Sequence, residues 1–103
     1  MNAQIKKGIL EMCILHVISE EEMYGYDIMK KMNVHFPEVN ESTFYSILRR
    51  LNNEGSTETY FGEVSNGPKR KYYRITKMGT GKLKEDVLSW KKINTIVVDI
   101  GIK

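Results

Sequence analysis

Between residues 42 and 76 the chain changes its apolar period, and few folds accommodate that change. Phe44, Ile47, Leu48 and Leu51 recur at the i, i+3, i+4, i+7 spacing of a helix with one buried stripe. Gly55 marks where that helix stops. Two strand-like runs follow, near 57–64 and 69–76, separated by Ser65-Asn66-Gly67-Pro68, a strong turn signal. In the second run Lys71, Tyr73 and Ile75 share one face and Arg70, Tyr72 and Arg74 the other, with Tyr73 and Ile75 expected toward the core. A one-stripe helix leading into a short hairpin must borrow its covering layer from the rest of the chain.

That layer is readable on both sides. Residues 4–18 predict a helix in which, from Ile9 to Ile18, only Glu11 and His16 are polar. A helix apolar nearly all round has to be covered on more than one side. One side can meet the chain's own core and the other a second copy of the protein. Residues 25–35 predict a second helix with Ile28, Met32 and Phe36 on one face, ended by Pro37. Asn40 is placed to cap the third helix. Thr76 is placed to cap a long last helix, along which Leu83, Val87, Trp90, Ile93, Val97 and Ile100 fall at spacings of three or four. Within 103 residues little core remains to cover that stripe, so a second subunit is its natural partner. The β-branched run Ile96-Val97-Val98 is a mediocre helix former, expected to fray unless it packs. The whole reads as an α+β, mainly α, winged helix-turn-helix. Residues 1–76 form the winged-helix unit, and residues 77–103 form a dimerisation helix that makes one compact unit with the N-terminal helix.

Charge is informative by position. A formal charge of +3 says little about partners. Yet Glu20, Glu21 and Glu22 make an acidic spot, while Lys69, Arg70, Lys71, Arg74, Lys77, Lys82 and Lys84 crowd a short later stretch. The single Cys13 cannot form an intrachain disulfide and fits a reduced, cytoplasmic setting. No apolar run approaches the ~18–20 residues of a membrane span, and no leader pattern opens the chain. His16 and His35 lack the paired cysteines or carboxylates of a zinc motif, and Gly79 and Gly81 lack the strand–turn–helix surroundings of a dinucleotide site. Neither an enzyme, a metal nor a cofactor is expected.

The polar face of the third helix carries Ser42, Ser46, Arg49 and Asn53, flanked by Thr43, Tyr45 and Arg50. Short hydroxyl side chains let a backbone approach base edges and phosphates, and arginines further along reach guanine or phosphate oxygens. Lys69, Arg70 and Lys71 sit where a wing would lie along the backbone of double-stranded DNA. The alternatives are a merely solvated helix face, or an interaction or small-molecule module that uses this fold without DNA.

Several motifs, in order along nearly the whole chain, resemble the PadR-type transcriptional regulators. They are Tyr24-Gly25-Tyr26-Asp27-Ile28, Ser42-Thr43-Phe44-Tyr45, Leu48-Arg49-Arg50-Leu51, Glu54-Gly55, and Gly67-Pro68-Lys69-Arg70-Lys71-Tyr72-Tyr73-Arg74-Ile75-Thr76 with Gly79. The resemblance implies a homodimer joined by the first and last helices, with the third helix in the major groove and the hairpin as the wing. It implies a ligand-responsive repressor on a palindromic operator. It makes Ser42, Thr43, Tyr45 and Arg49 groove or phosphate contacts, and Lys69, Arg70 and Lys71 wing contacts. Tyr24 and Tyr26 match a family motif; one is expected at a phosphate and at least one in packing. Two departures stand out. Ser46 replaces a common proline, and Ser56-Thr57 replace bulky apolar residues, which predicts a poorly anchored base for the wing.

The length is similar to the short, LmrR-like subgroup of that family. In a multidrug-binding repressor of this subgroup a pair of symmetry-related tryptophans flanks a flat aromatic compound, and Trp90 stands at the corresponding place. Val87, Trp90 and Asn94 on the last helix, facing Ile9, Met12 and His16 on the first, are the implied effector residues. Asn94 stands where that repressor has an acidic residue, which favours a planar, neutral or weakly cationic molecule. The alternative is that Trp90 simply fills the dimer interface.

Overall fold

The computed structural model describes residues 3–62 and 69–103, with residues 3–5 as backbone. The expected turn at 65–68 lies outside them. The elements in order are α1 (Ala3–Glu20), β1 (Met23–Tyr24), α2 (Gly25–His35), α3 (Glu41–Asn53), β2 (Thr57–Gly62), β3 (Arg70–Ile75) and α4 (Lys77–Ile100). The fold is mainly helical with a small antiparallel sheet of strand order β1-β3-β2, the expected winged helix-turn-helix.

The apolar stripes meet where their spacing directs them. Leu10, Ile14, Leu15 and Ile18 of α1, Ile28, Met29 and Met32 of α2, and Phe44, Ile47, Leu48 and Leu51 of α3 form one core with Met23, Val39 and Tyr73. The bend between α2 and α3 is clipped by Asn33, whose Nδ2 donates to the carbonyls of Phe36 (3.3 Å) and Val39 (3.2 Å). Asn40 stands at the N-cap of α3, but its side chain makes no capping hydrogen bond. Gly55 ends α3 in the left-handed region at φ +86. From there its N–H reaches the Asn52 carbonyl, and the Ser56 N–H reaches that of Leu51. A Cβ is disfavoured in this conformation, so the stop belongs to glycine.

Two expectations need correcting. The hairpin is a three-stranded sheet, because Met23 and Tyr24 pair with Tyr73 and Tyr72 as an extra edge strand. The base of the wing is anchored firmly. Ser56 and Thr57 are 1% and 2% exposed, and the Ser56 carbonyl accepts from the Thr76 N–H at 3.1 Å. Thr76 Oγ1 donates to the Gly55 carbonyl at 2.6 Å and accepts from the Gly79 N–H at 3.1 Å, capping α4 as expected. A Cβ on Gly79 would collide with the Ser56 carbonyl. The first turn of α4 therefore rests directly on the start of β2, and small residues fit there where bulky ones would push the helix away.

Beyond that root α4 leaves the core. Only Gly79 is buried along its length. Trp90, Ile93 and Ile100 are 47%, 60% and 74% exposed. The helix nonetheless persists through Ile96-Val97-Val98 to Gly101, which closes it at φ +120, with the Gly101 and Ile102 N–H groups on the Val98 and Val97 carbonyls. Among the described residues no helix is long and apolar enough to cross a membrane.

Candidate nucleic-acid interface

The core stripe of α3 points inward, so its opposite face reaches solvent. Ser42, Thr43, Ser46, Arg49 and Asn53 are exposed there, and Tyr45 is half-buried at one edge. No acidic residue lies between Ser42 and Asn53. Arg49 stands close enough to Tyr73 to favour its phenolate, although burial dominates and pushes the Tyr73 phenol upward. Burial also raises the Tyr45 phenol, with Tyr24, Glu41, Tyr73 and Tyr26 adding to the shift. Gly25 permits this convergence at the root of α2. A Cβ there would stand 3.2 Å from the Tyr73 ring and 3.8 Å from that of Tyr45.

From this edge a row of tyrosines crosses the outer face of the sheet. Tyr24, Tyr72 and Tyr60 are direct cross-strand neighbours, one on each strand. Ring centroids lie 6.3 Å apart for Tyr26–Tyr24, 6.3 Å for Tyr24–Tyr72 and 5.6 Å for Tyr60–Tyr72, the last pair stacked at 19°. Cations cover the rings: Lys30 over Tyr26 at 5.5 Å, Arg70 over Tyr24 at 5.1 Å and Arg74 over Tyr60 at 5.1 Å. Tyr72 lies so close over Gly62 that a Cβ would collide with its ring.

The two ends of the row differ in charge. At the β2 edge Arg74 pairs with Glu58 at 2.8 Å. There Tyr60 Oη also donates to Glu22 at 2.6 Å, a bond that raises its pKa. At the α3 end Lys30 and Arg70 enter no ion pair among the described residues. Lys69 and Lys71 are exposed beside Arg70. The expected DNA-facing residues Tyr24, Tyr26, Ser42, Thr43, Tyr45, Ser46, Arg49, Lys69, Arg70 and Lys71 therefore lie on α3, at the root of α2 and on the adjoining sheet. Tyr24 and Tyr26 pack on each other, with Tyr24 half-buried and Tyr26 46% exposed.

Arg50 is set apart. Its guanidinium turns to Glu11 on α1 in a half-buried ion pair, with Glu54 3.9 Å away. It braces α3 against α1. Glu11 lies 39 positions away in sequence, so helix periodicity had no means of pairing them.

The six expected effector residues divide. Met12, His16, Val87 and Trp90 line one hollow of about 500 Å³, together with Cys13, Met32, His35, Phe36 and Lys91. Ile9 lies on the other side of the α1/α4 contact, in a second hollow of about 340 Å³ that again includes Met12 and Trp90, now with Glu11 and Ile93. Asn94 is exposed and lines neither. Phe36 and His35 enter because α2 ends against this hollow, a tertiary contact that the stripe Ile28–Met32–Phe36 hinted at only through its last member. Burial raises the Cys13 thiol above its ordinary range, which disfavours the thiolate. Among the described residues no group of three His, Cys, Asp or Glu side chains could hold a metal ion.

A sequence model of the PadR-like family of transcriptional regulators matches residues 14–85. A PadR-like transcriptional regulator from Bacillus cereus is 43% identical, with a TM-score of 0.85 over 95% of this chain and 96% of that one. A transcriptional regulator from Streptococcus gives a TM-score of 0.87 at 26% identity, covering 96% of this chain and 98% of that one. An uncharacterised protein of Lysinibacillus sphaericus is 38% identical over 101 residues, which is 94% of this chain and 92% of that protein.

Proposed function

The chain belongs to the PadR-like family of transcriptional regulators, which are not enzymes, and we propose that it is a repressor binding a palindromic operator as a homodimer. In this reading α3 enters the major groove, with Ser42, Thr43, Ser46 and Arg49 toward bases and phosphates. The wing, through Lys69, Arg70 and Lys71, follows the flanking backbone. The observation that carries the reading is the exposed face of α3. It is free of acidic residues from Ser42 to Asn53 and continuous at Tyr45 with a tyrosine row whose near cations, Lys30 and Arg70, enter no ion pair among the described residues. Such a surface suits a polyanion. Arg50 is left out of the contact set because Glu11 holds it.

The second copy is called for by α4. Its distal stripe, from Trp90 to Ile100, is apolar and uncovered, and residues 77–103 serve in this reading as the dimerisation helix beside α1. A dimer sets two copies of α3 at a fixed separation, so half-sites about one turn, roughly 10 base pairs, apart are expected. Footprinting on the DNA upstream of the chain's own gene, with stoichiometry from analytical ultracentrifugation, tests this. Two protected half-sites per dimer is the expected result, and protection of a single site by a monomer is the contrary one.

We propose also that the chain is of the LmrR-like type and that a planar aromatic compound regulates it from beside Trp90. The half-exposed indole and the apolar hollow formed with Met12, His16 and Val87 support this. Quenching of the single tryptophan by such compounds is the expected result. Its absence across a broad panel would leave Trp90 as interface packing.

A further inference from the structure

The two flanks of α3 are unlike. On one, Tyr45 leads to the tyrosine row and the wing. On the other, Thr43, Ser46, Ile47 and Arg50, at i, i+3, i+4 and i+7, form one wall of an open hollow of about 540 Å³. Its other walls are the first turns of α1, with Lys6, Lys7 and Leu10, and the α2–α3 bend, with Glu38, Val39 and Asn40. Neither Lys6 nor Lys7 enters an ion pair among the described residues, whereas the charge of Arg50 is already answered by Glu11. The Asn40 amide is not spent on capping α3. The hollow thus offers two free ammonium groups, an uncommitted amide and two hydroxyls on the groove-facing side, opposed by the single carboxylate of Glu38.

We infer that this hollow seats phosphates of the DNA strand on the side of the groove away from the wing, with Lys6 and Lys7 as the clamping cations. The inference rests on the reading that α3 enters the major groove. A helix in that groove, ~12 Å wide, has a phosphate strand along each flank. The wing and Lys30 serve one strand; among the described residues lining the hollow, Lys6 and Lys7 are the cations left for the other, since Arg50 is paired with Glu11. Phosphates carry no base identity, so this contact holds α3 in register and does not choose the sequence.

The test is operator binding by fluorescence anisotropy between about 50 and 200 mM salt, for the wild-type protein, Lys6→Ala/Lys7→Ala and Glu38→Gln. Each phosphate contact contributes about 0.9 to the slope of log affinity against log salt. The double variant should lower that slope by roughly 2 and weaken operator and scrambled DNA by the same factor. Glu38→Gln, which only removes an opposing charge at an exposed position, should tighten both. If the wild-type protein prefers its operator while the double variant keeps the wild-type slope, the hollow does not touch DNA. If Lys6→Ala/Lys7→Ala weakens the operator alone, these lysines act on base recognition and the phosphate assignment is overturned. If the wild-type protein shows no preference for its operator, the reading of α3 itself fails, a result distinct from either.

Discussion

The root and the distal half of α4 are one continuous helix in opposite situations. At the root, Gly79 is pressed onto the Ser56 carbonyl and Thr76 is bonded to both Gly55 and Gly79. In the distal half, Trp90, Ile93, Ile96 and Ile100 stand in solvent with apolar side chains. The root shows what this chain looks like where it satisfies itself: small residues, short backbone approaches, every contact within the protomer. The distal half shows an apolar stripe that the described residues of the protomer leave largely uncovered. Exposed apolar area of this extent on a small domain marks an interaction surface, and it is the physical basis for proposing a second copy.

Changes in the self-contained half should act on folding, and changes in the distal half on assembly. Phe44 is fully buried at the centre of the core, so Phe44→Ala should cost about 3–5 kcal/mol in chemical denaturation and leave little folded protein at 37 °C. A cost under about 1 kcal/mol would mean that the core is not packed as described. Thr57 offers the opposite sign. Its Oγ1 is buried with no hydrogen-bond partner among the described residues, so Thr57→Val, of nearly the same shape, should stabilise by about 1 kcal/mol in the same assay. On the distal stripe, Ile93→Ser with Ile100→Ser should change the stability of the protomer by no more than about 0.5 kcal/mol. The pair should nonetheless abolish the rise of Tm with protein concentration that a dimer shows. A Tm that never depends on concentration in the wild-type protein would remove the second copy.

The smallest effect lies in alkali. The Tyr45 and Tyr73 phenols are raised from 10.0 by burial, and that of Tyr60 by its bond to Glu22. A raised folded pKa means that the folded state keeps its proton where the unfolded chain loses one. The stabilisation is therefore full below pH 10 and is lost as pH climbs through the higher folded values. Spectrophotometric titration should find Tyr45, Tyr60 and Tyr73 ionising above the ordinary phenol value, and Glu22→Gln should bring Tyr60 back toward that value. Ionisation of these three at the ordinary value would contradict the packing described.

The difference between the halves also explains which parts were legible in the sequence. Helix stripes, the Gly55 stop and the Thr76 cap announce themselves through spacing within one element, and all stand where the spacing put them. The strand Met23–Tyr24 is too short to carry a period and exists only because β3 offers it an edge. The anchoring of the wing was misread because Ser56 and Thr57 look like weak core residues until Gly79 is seen lying on them. The tyrosine row needs the register Tyr24–Tyr72–Tyr60, and the pairing of Arg50 with Glu11 needs α1 laid against α3. Contacts between elements distant in sequence leave no local mark.

The proposal that α3 reads a groove turns on Arg49, the exposed arginine on its acid-free face. At fixed salt, Arg49→Ala should weaken binding to the operator by about 1–3 kcal/mol and affect scrambled DNA much less, so that the preference between them collapses. Equal affinity of wild type and variant for the operator, with the preference intact, would contradict base reading by this helix face.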